Sequence, residues 1–201
     1  MRLRHNPKAQ IELDNSKYTT KKYPIEVNKD VIIELGMGKG EMITQLAKNN
    51  PNKFFVGIEK YATVAHKAMK RAEILNIDNF LIIDKDIKDL SELIKGKVMF
   101  LWLTFSDPWP KIRHEKRRLT YKSFLDLYKN ILDKDGVINL KTDNDKFFEY
   151  SLESMKEYGM EILVSTNDFH NSPFSKHNVM TGYEKKWSEK EKNINFLQAK
   201  F

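Results

Sequence analysis

The feature that most restricts the fold of this chain is a regular alternation of short apolar runs with helix-period segments. Val31–Leu35, Phe54–Ile58, Phe80–Ile83, Val98–Thr104 and residues 137–140 are continuous apolar stretches rich in β-branched and aromatic side chains. Runs that are apolar at every position, rather than at every second one, mark strands covered on both faces. Between them, residues 41–48, 61–75, 87–94, 121–132 and 145–158 repeat their apolar positions at the helical period, and several end at Gly, Asn or Asp. Such alternation predicts an α/β fold with a doubly wound, Rossmann-like sheet, mostly parallel. Past Gly159 the pattern changes. Residues 161–165, 183–187 and 194–199 read as strands with no helix between them, so the sheet is expected to finish in an antiparallel C-terminal hairpin.

The 201 residues suit a single domain, expected over 29–201. Residues 1–28 show no clear periodicity, carry Arg2, Arg4, Lys8, Lys21 and Lys22, and are expected to be a basic, partly mobile extension. The longest apolar run, residues 98–105, is far shorter than the roughly 20 residues of a membrane helix, and no apolar segment follows the basic start, so neither membrane insertion nor a secretory signal is expected. The absence of cysteine excludes disulfide frameworks and thiolate metal sites and points to a reducing cytoplasm. His5, His66, His114, His170 and His177 lack metal-ligand spacing, so no metal is expected. The net charge of +7 favours a polyanionic partner, although lysine-rich surfaces also serve solubility.

The first strand runs directly into Glu34-Leu35-Gly36-Met37-Gly38-Lys39-Gly40 and then a helix, the place where open α/β sheets bind nucleotides. A dinucleotide fingerprint would need glycine where Glu41 stands, and a carboxylate in that turn would repel a pyrophosphate. Gly36, Gly38 and Gly40 behind the acid Glu34 instead suit a ligand without phosphates and with a positive centre, such as S-adenosylmethionine. Glu59, closing the second strand, is placed to accept from ribose hydroxyls, and Asp86, past the third, to meet an adenine amine. Each of these acids alone reads equally well as a solvated or helix-capping residue.

After the fourth strand comes Ser106-Asp107-Pro108-Trp109-Pro110-Lys111, in which two prolines fix the backbone and a carboxylate and an indole stand beside the crevice. Asp107 can accept from the N1–H and amine of guanine, or from an adenine or cytosine amine, and Trp109 offers a stacking face or packs into the core. The densest basic stretch follows, with Lys111, Arg113, His114, Lys116, Arg117 and Arg118, a set suited to phosphate contacts. Lys141-Thr142-Asp143 ends the fifth strand, and Thr181-Gly182-Tyr183-Glu184 opens a late one on the same expected rim.

Taken together, ELGMGKG, VGIEK, SDPWPKIRHEKRRLT, LKTDN, DFHNS and TGYE resemble the bacterial tRNA (guanine-N7-)-methyltransferase family, in order and over most of the chain. The resemblance implies a class I methyltransferase fold, S-adenosylmethionine as methyl donor and the variable-loop guanine of tRNA as acceptor. It implies that Glu34, Glu59, Asp86 and Asp107 contact the cofactor, that Asp107 is also the catalytic residue, and that Lys111, Asp143, Thr181, Gly182, Tyr183 and Glu184 contact the substrate. Lys85-Asp86-Ile87 lacks the small residue common after that acid in relatives, and Gly182 stands where a polar residue is frequent. Monomer and homodimer both stay open. The rival readings are a methyltransferase acting on an adenine or protein amide amine, and an RNA-binding protein with a vestigial cofactor pocket. An NAD enzyme is opposed by the glycine spacing.

Overall fold

The computed structural model describes residues 6–201; Arg2 and Arg4 of the basic extension lie outside the described residues. Among the described residues nine strands run in chain order: β1 (Ile25–Val27), β2 (Val31–Leu35), β3 (Phe54–Ile58), β4 (Phe80–Ile83), β5 (Ile94–Gly96), β6 (Val98–Thr104), β7 (Leu132–Thr142), β8 (Glu161–Thr166) and β9 (Asn195–Lys200). The α-helices are α1 (Ala9–Asp14), α2 (Glu41–Asn49), α3 (Ala62–Leu75), α4 (Leu90–Leu93), α5 (Lys122–Ile131), α6 (Asp145–Glu157) and α7 (Gly182–Ser188).

Seven strands form one sheet in the order β4-β3-β2-β6-β7-β9-β8. The pairs from β4 through β7 are parallel, whereas β9 runs antiparallel to both β7 and β8. The chain winds outward from β2 to β4 on one side and resumes beside β2 with β6 on the other, so the strand order reverses at β2 and β6. Ligands of open α/β sheets bind outside the carboxyl ends of the strands at such a reversal.

Alternate residues of each strand feed two cores. Ile33, Leu35, Val56 and Ile58 pack with Phe124, Tyr128, Phe147 and Phe148 from α5 and α6. Phe55 and Ile82 pack with Ile43, Ala65, Ala68 and Ala72 from α2 and α3 on the opposite face. The alanine stripe of α3 lets that helix lie close to the sheet, and Asn76, at φ 49°, ends it in the left-handed conformation.

Residues near the N-terminus are more ordered than their patterning predicts. Ala9, Leu13 and Tyr18 are buried, and the Tyr18 hydroxyl donates to the carbonyls of Ala72 and Ile77 at 3.1 and 2.9 Å. Ile82 of β4 donates its N–H to the Tyr18 carbonyl at 2.7 Å. Helix α1 escapes notice because a six-residue element with two buried positions has no measurable period.

Two further elements depart from expectation. Residues 87–94 form a 3-10 turn (Ile87–Asp89), the short α4 and then β5, because Ile94 pairs with Ile25 of β1 and long-range pairing overrides local helix preference. Residues 183–187, read as a strand, lie in α7. The apparent alternation of Tyr183 and Trp187 is equally an i,i+4 pair, and their rings lie 6.1 Å apart on one side of the helix.

Candidate active site at the carboxyl edge of the sheet

The loop from β2 to α2 takes its shape from three glycines: Gly36, Gly38 and Gly40 have φ of 73°, 59° and 67°. L side chains avoid that region, and at Gly40 a Cβ would also stand 2.6 Å from the Ala68 Cβ. The N–H groups of Gly36 and Met37 donate to the Ile58 carbonyl at 2.8 and 3.1 Å, tying the loop to the end of β3. The next residue, Glu59, completes the tie. It accepts from the Gly38 N–H at 3.2 Å and from the Tyr61 N–H at 3.0 Å, so the loop and the second acid move as one body. Burial pushes the Glu59 carboxyl up; the two backbone donors and Lys60 oppose this, and the charge of Asp107 reinforces it. Asp107 therefore stands within electrostatic reach of Glu59.

Glu34 is 2% exposed. Burial pushes its carboxyl up to about 7, against the opposing pull of Lys141, the Thr104 hydroxyl and the Ile43 N–H. Its Oε2 has no hydrogen-bond partner among the described residues. A buried acceptor left open is costly, and here it lies two residues before the glycine loop. A ligand presenting a cationic or N–H group would satisfy it. The loop, Glu34 and Glu59 thus fit a nucleoside joined to a cationic tail.

Beyond β6 the chain turns sharply, with Phe105 and Trp109 at φ 50° and 41°. For side chains of this size such a backbone is held by its surroundings. The Phe105 N–H donates to the Lys141 carbonyl at 2.9 Å. Arg118 donates through Nε and Nη2 to the Trp109 carbonyl at 3.3 and 3.1 Å, while its guanidinium lies 4.1 Å from the Tyr150 ring centroid. Arg117 lies over the Trp109 indole at 4.9 Å, and His114 meets that ring edge-on at 5.6 Å. Asp107, between these fixed points, is exposed. Lys111, Arg113, Lys116 and Arg117 are exposed on and beside the 3-10 turn Ile112–Arg117, whereas His114 and Arg118 are half-buried.

Helix α7 reaches the same edge. Thr181 and Glu184 form a reciprocal capping box, the Thr181 hydroxyl accepting from the Glu184 N–H and the Glu184 carboxylate from the Thr181 N–H. The Gly182 N–H donates to Glu41, the first residue of α2. The Tyr183 hydroxyl donates to Asp143 at 3.0 Å, and its ring meets Phe105 edge-on at 5.2 Å. Glu184 is fully buried: it accepts from Lys141 Nζ at 2.9 Å and Asn178 Nδ2 at 2.8 Å, and pairs with His170 Nε2 at 2.8 Å. Burial would raise the Glu184 carboxyl, but the Lys141 charge and its hydrogen bonds hold it below the ordinary range.

A family model described as "Putative methyltransferase" matches residues 28–197. The chain is 54% identical over its whole length to the whole of the tRNA (guanine-N(7)-)-methyltransferase of Mycoplasma mobile, and 52% identical, again over both full lengths, to that of Mesomycoplasma hyopneumoniae. The chain belongs to this family. Among solved structures it resembles the 16S rRNA methyltransferase KamB, with a TM-score of 0.65 at 12% identity over 87% of this chain and 88% of that one. An antibiotic-related methyltransferase superposes with a TM-score of 0.57 at 17% identity, over 85% of this chain and 86% of that one. At such identity these likenesses show the fold alone, and they agree with the predicted mostly parallel sheet and its antiparallel C-terminal strands.

Within this family framework the structure gathers Glu34, the glycines, Glu59, Asp107, Asp143 and Tyr183 along one edge. Asp86 also caps the 3-10 turn after β4, accepting from the Lys88 N–H at 3.1 Å, and it pairs with Lys60 at 3.4 Å. Thr181 and Glu184 are turned into the cap and the interior. Sequence reasoning missed Glu41, His170 and Asn178 as partners of this region. It had a signal for α7 in the Thr181-x-x-Glu184 spacing, the signature of a helix start. Among the described residues no group of His, Asp and Glu is placed to hold a metal ion, and no helix is long and apolar enough to cross a membrane.

Proposed function

We propose that this protein transfers the methyl group of S-adenosylmethionine to N7 of a guanine in the variable loop of tRNA, forming 7-methylguanosine, in the cytoplasm. Full-length identity of 54% to a curated enzyme of that name supports the reaction, and the exposed carboxylate of Asp107 between the glycine loop and the basic turn is the observation that carries the assignment of the site. Residues 29–201 act as one domain, and residues 1–28 are a basic stretch whose described part packs onto it through Leu13, Tyr18 and β1. Gly36, Gly38 and Gly40 shape the cofactor cradle; Glu59 accepts from the ribose, Glu34 answers the cationic tail and Asp86 the adenine amine. Asp143 and Tyr183 present themselves to the substrate, with Thr181, Gly182 and Glu184 building that surface from behind. Lys111, Arg113, His114, Lys116, Arg117 and Arg118 form or support the phosphate-binding side.

When bound, S-adenosylmethionine supplies an electrophilic methyl group on a sulfonium. Guanine N7 carries a lone pair and no proton, so no base is needed at the attacked atom. The protein's work is alignment and electrostatic preorganisation. Asp107 accepts from the guanine edge and offsets the positive charge that grows on the purine.

The test is to incubate the protein with labelled S-adenosylmethionine and unmodified tRNA and to identify the nucleoside formed, with Asp107→Asn as comparison. The expected product is 7-methylguanosine, and the expected loss in Asp107→Asn is about 100-fold to 1000-fold in single-turnover rate. A different methylated nucleoside would overturn the reaction. A rate within a few-fold of wild type would remove Asp107 from the chemistry.

A further inference from the structure

The crevice is rimmed by carboxylates: Glu59, Asp107 and Asp143 stand just beyond the ends of β3, β6 and β7, with the buried Glu34 behind them. Such a rim repels a polyanion, so an RNA that delivers a base into it needs cations flanking the acids. The turn at residues 111–118 supplies them beside Asp107. Beside Asp143 the neighbouring element is α7, through the Tyr183 hydroxyl.

The charge on α7 is lopsided. Its capping acid, Glu184, is turned inward and neutralised by Lys141, so it offsets nothing outside. The next two residues, Lys185 and Lys186, are exposed and form no ion pair with the described residues. Lys176, on the neighbouring 3-10 turn Pro173–His177, is also exposed, next to the half-exposed Phe174. Past the helix end Lys190, its Nζ 5.2 Å from the Trp187 ring centroid, stands between two exposed acids. The opposing acids Glu189 and Glu191 lie past the last turn of α7, and Lys192 is already paired with Asp145 at 2.7 Å. Tyr183, 46% exposed, sits between these lysines in sequence and the crevice in space.

We infer that α7 is a second RNA-binding surface, in which Lys185 and Lys186, extended by Lys176, hold tRNA phosphates and so carry the target base past Tyr183 toward the acidic crevice. The helix is suited to this because its cap is locked from inside: Lys141, His170 and Asn178 fix Glu184, and Glu41 fixes Gly182, leaving the outer face free to meet the backbone of the RNA. The inference rests on tRNA being the substrate.

Binding of an unmodified tRNA transcript is measured at several salt concentrations for wild type, Lys185→Ala/Lys186→Ala, Lys185→Arg/Lys186→Arg and Lys116→Ala. The alanine pair is expected to bind about ten-fold more weakly at low salt, with a log–log salt slope shallower by about 0.7 to 0.9 for each phosphate that is no longer neutralised. The arginine pair is expected to keep the wild-type slope. Lys116→Ala, on the other basic flank, is expected to flatten the slope by one such step. Circular dichroism and S-adenosylmethionine affinity are expected to stay unchanged in all of these variants. If wild type binds tRNA but the alanine pair matches it in affinity and slope, the α7 surface is overturned while the function stands. If wild type itself does not bind tRNA, the functional reading fails and the inference with it.

Discussion

Lys141 Nζ meets the Glu184 carboxylate at 2.9 Å with neither side chain exposed to solvent. The pair joins the end of β7 to the cap of α7, and the Lys141 ammonium also donates to Asn178 at 2.8 Å. Removing one partner strands a charge in the interior, which costs about 3–5 kcal/mol, whereas replacing both with a packed neutral pair is close to neutral. Lys141→Met and Glu184→Gln are therefore each expected to lower unfolding free energy by about that amount, and the double variant to recover most of it. Denaturant titrations of all three check this; additive losses would deny the pair its coupling.

Glu34 makes stability depend on pH. Its folded pKa of about 7 lies above the ordinary 4.5, so the fold favours the protonated acid. The stability it contributes is full below pH 4.5 and is lost as pH rises through about 7, a change on the order of 3 kcal/mol. Glu34→Gln is expected to flatten that decline in denaturant midpoints measured across the window. Wild type is also expected to bind S-adenosylmethionine more tightly as pH rises from about 6 toward about 7, a trend absent in Glu34→Gln. Parallel pH profiles for the two proteins would contradict both expectations.

Glu59 holds Gly38 and Tyr61 while keeping lone pairs for a ligand. Glu59→Ala removes both functions and is expected to weaken S-adenosylmethionine by about 1.5–3 kcal/mol, close to 10-fold to 100-fold in Kd. Calorimetry on the folded variant decides it; unchanged affinity would place Glu59 outside the site.

Neighbouring arginines are expected to behave differently. Arg118 holds the Trp109 carbonyl and lies against Tyr150, so Arg118→Ala should lower the methyl-transfer rate at saturating tRNA with little change in salt dependence. Arg113, exposed on the 3-10 turn, should show the reverse when changed to Ala: weaker binding, a shallower salt slope and a preserved rate. An equal salt slope for Arg118→Ala and Arg113→Ala would erase the distinction.

Strands β2, β3, β4 and β6 were legible because each is a nearly continuous apolar run, interrupted in β2 by Glu34 and closed in β6 by Thr104, and the acids at their ends were legible because the loop positions follow once the strands are placed. Helix α7 was not. A seven-residue segment offers too few positions to separate a period of two from one of 3.6, and its decisive contacts are remote in sequence. Glu41 lies 141 residues from Gly182, and Lys141 lies 43 from Glu184. For the same reason Arg118 reads as one more cation in a basic block until its two hydrogen bonds to Trp109 are seen.

The carbonyl of Tyr18 on the Ile82 N–H bears on how copies of this protein behave toward one another. Ile82 belongs to β4, the last strand on its side of the sheet, and Thr19 continues the contact as an isolated parallel bridge. A terminal strand with bare amide groups is a template for any extended peptide that meets it. The segment through Tyr18 and Thr19 occupies that edge at Ile82, so pairing of another chain along β4 meets the molecule's own backbone there. Deleting residues up to 20 is expected to cost solubility before it costs catalysis.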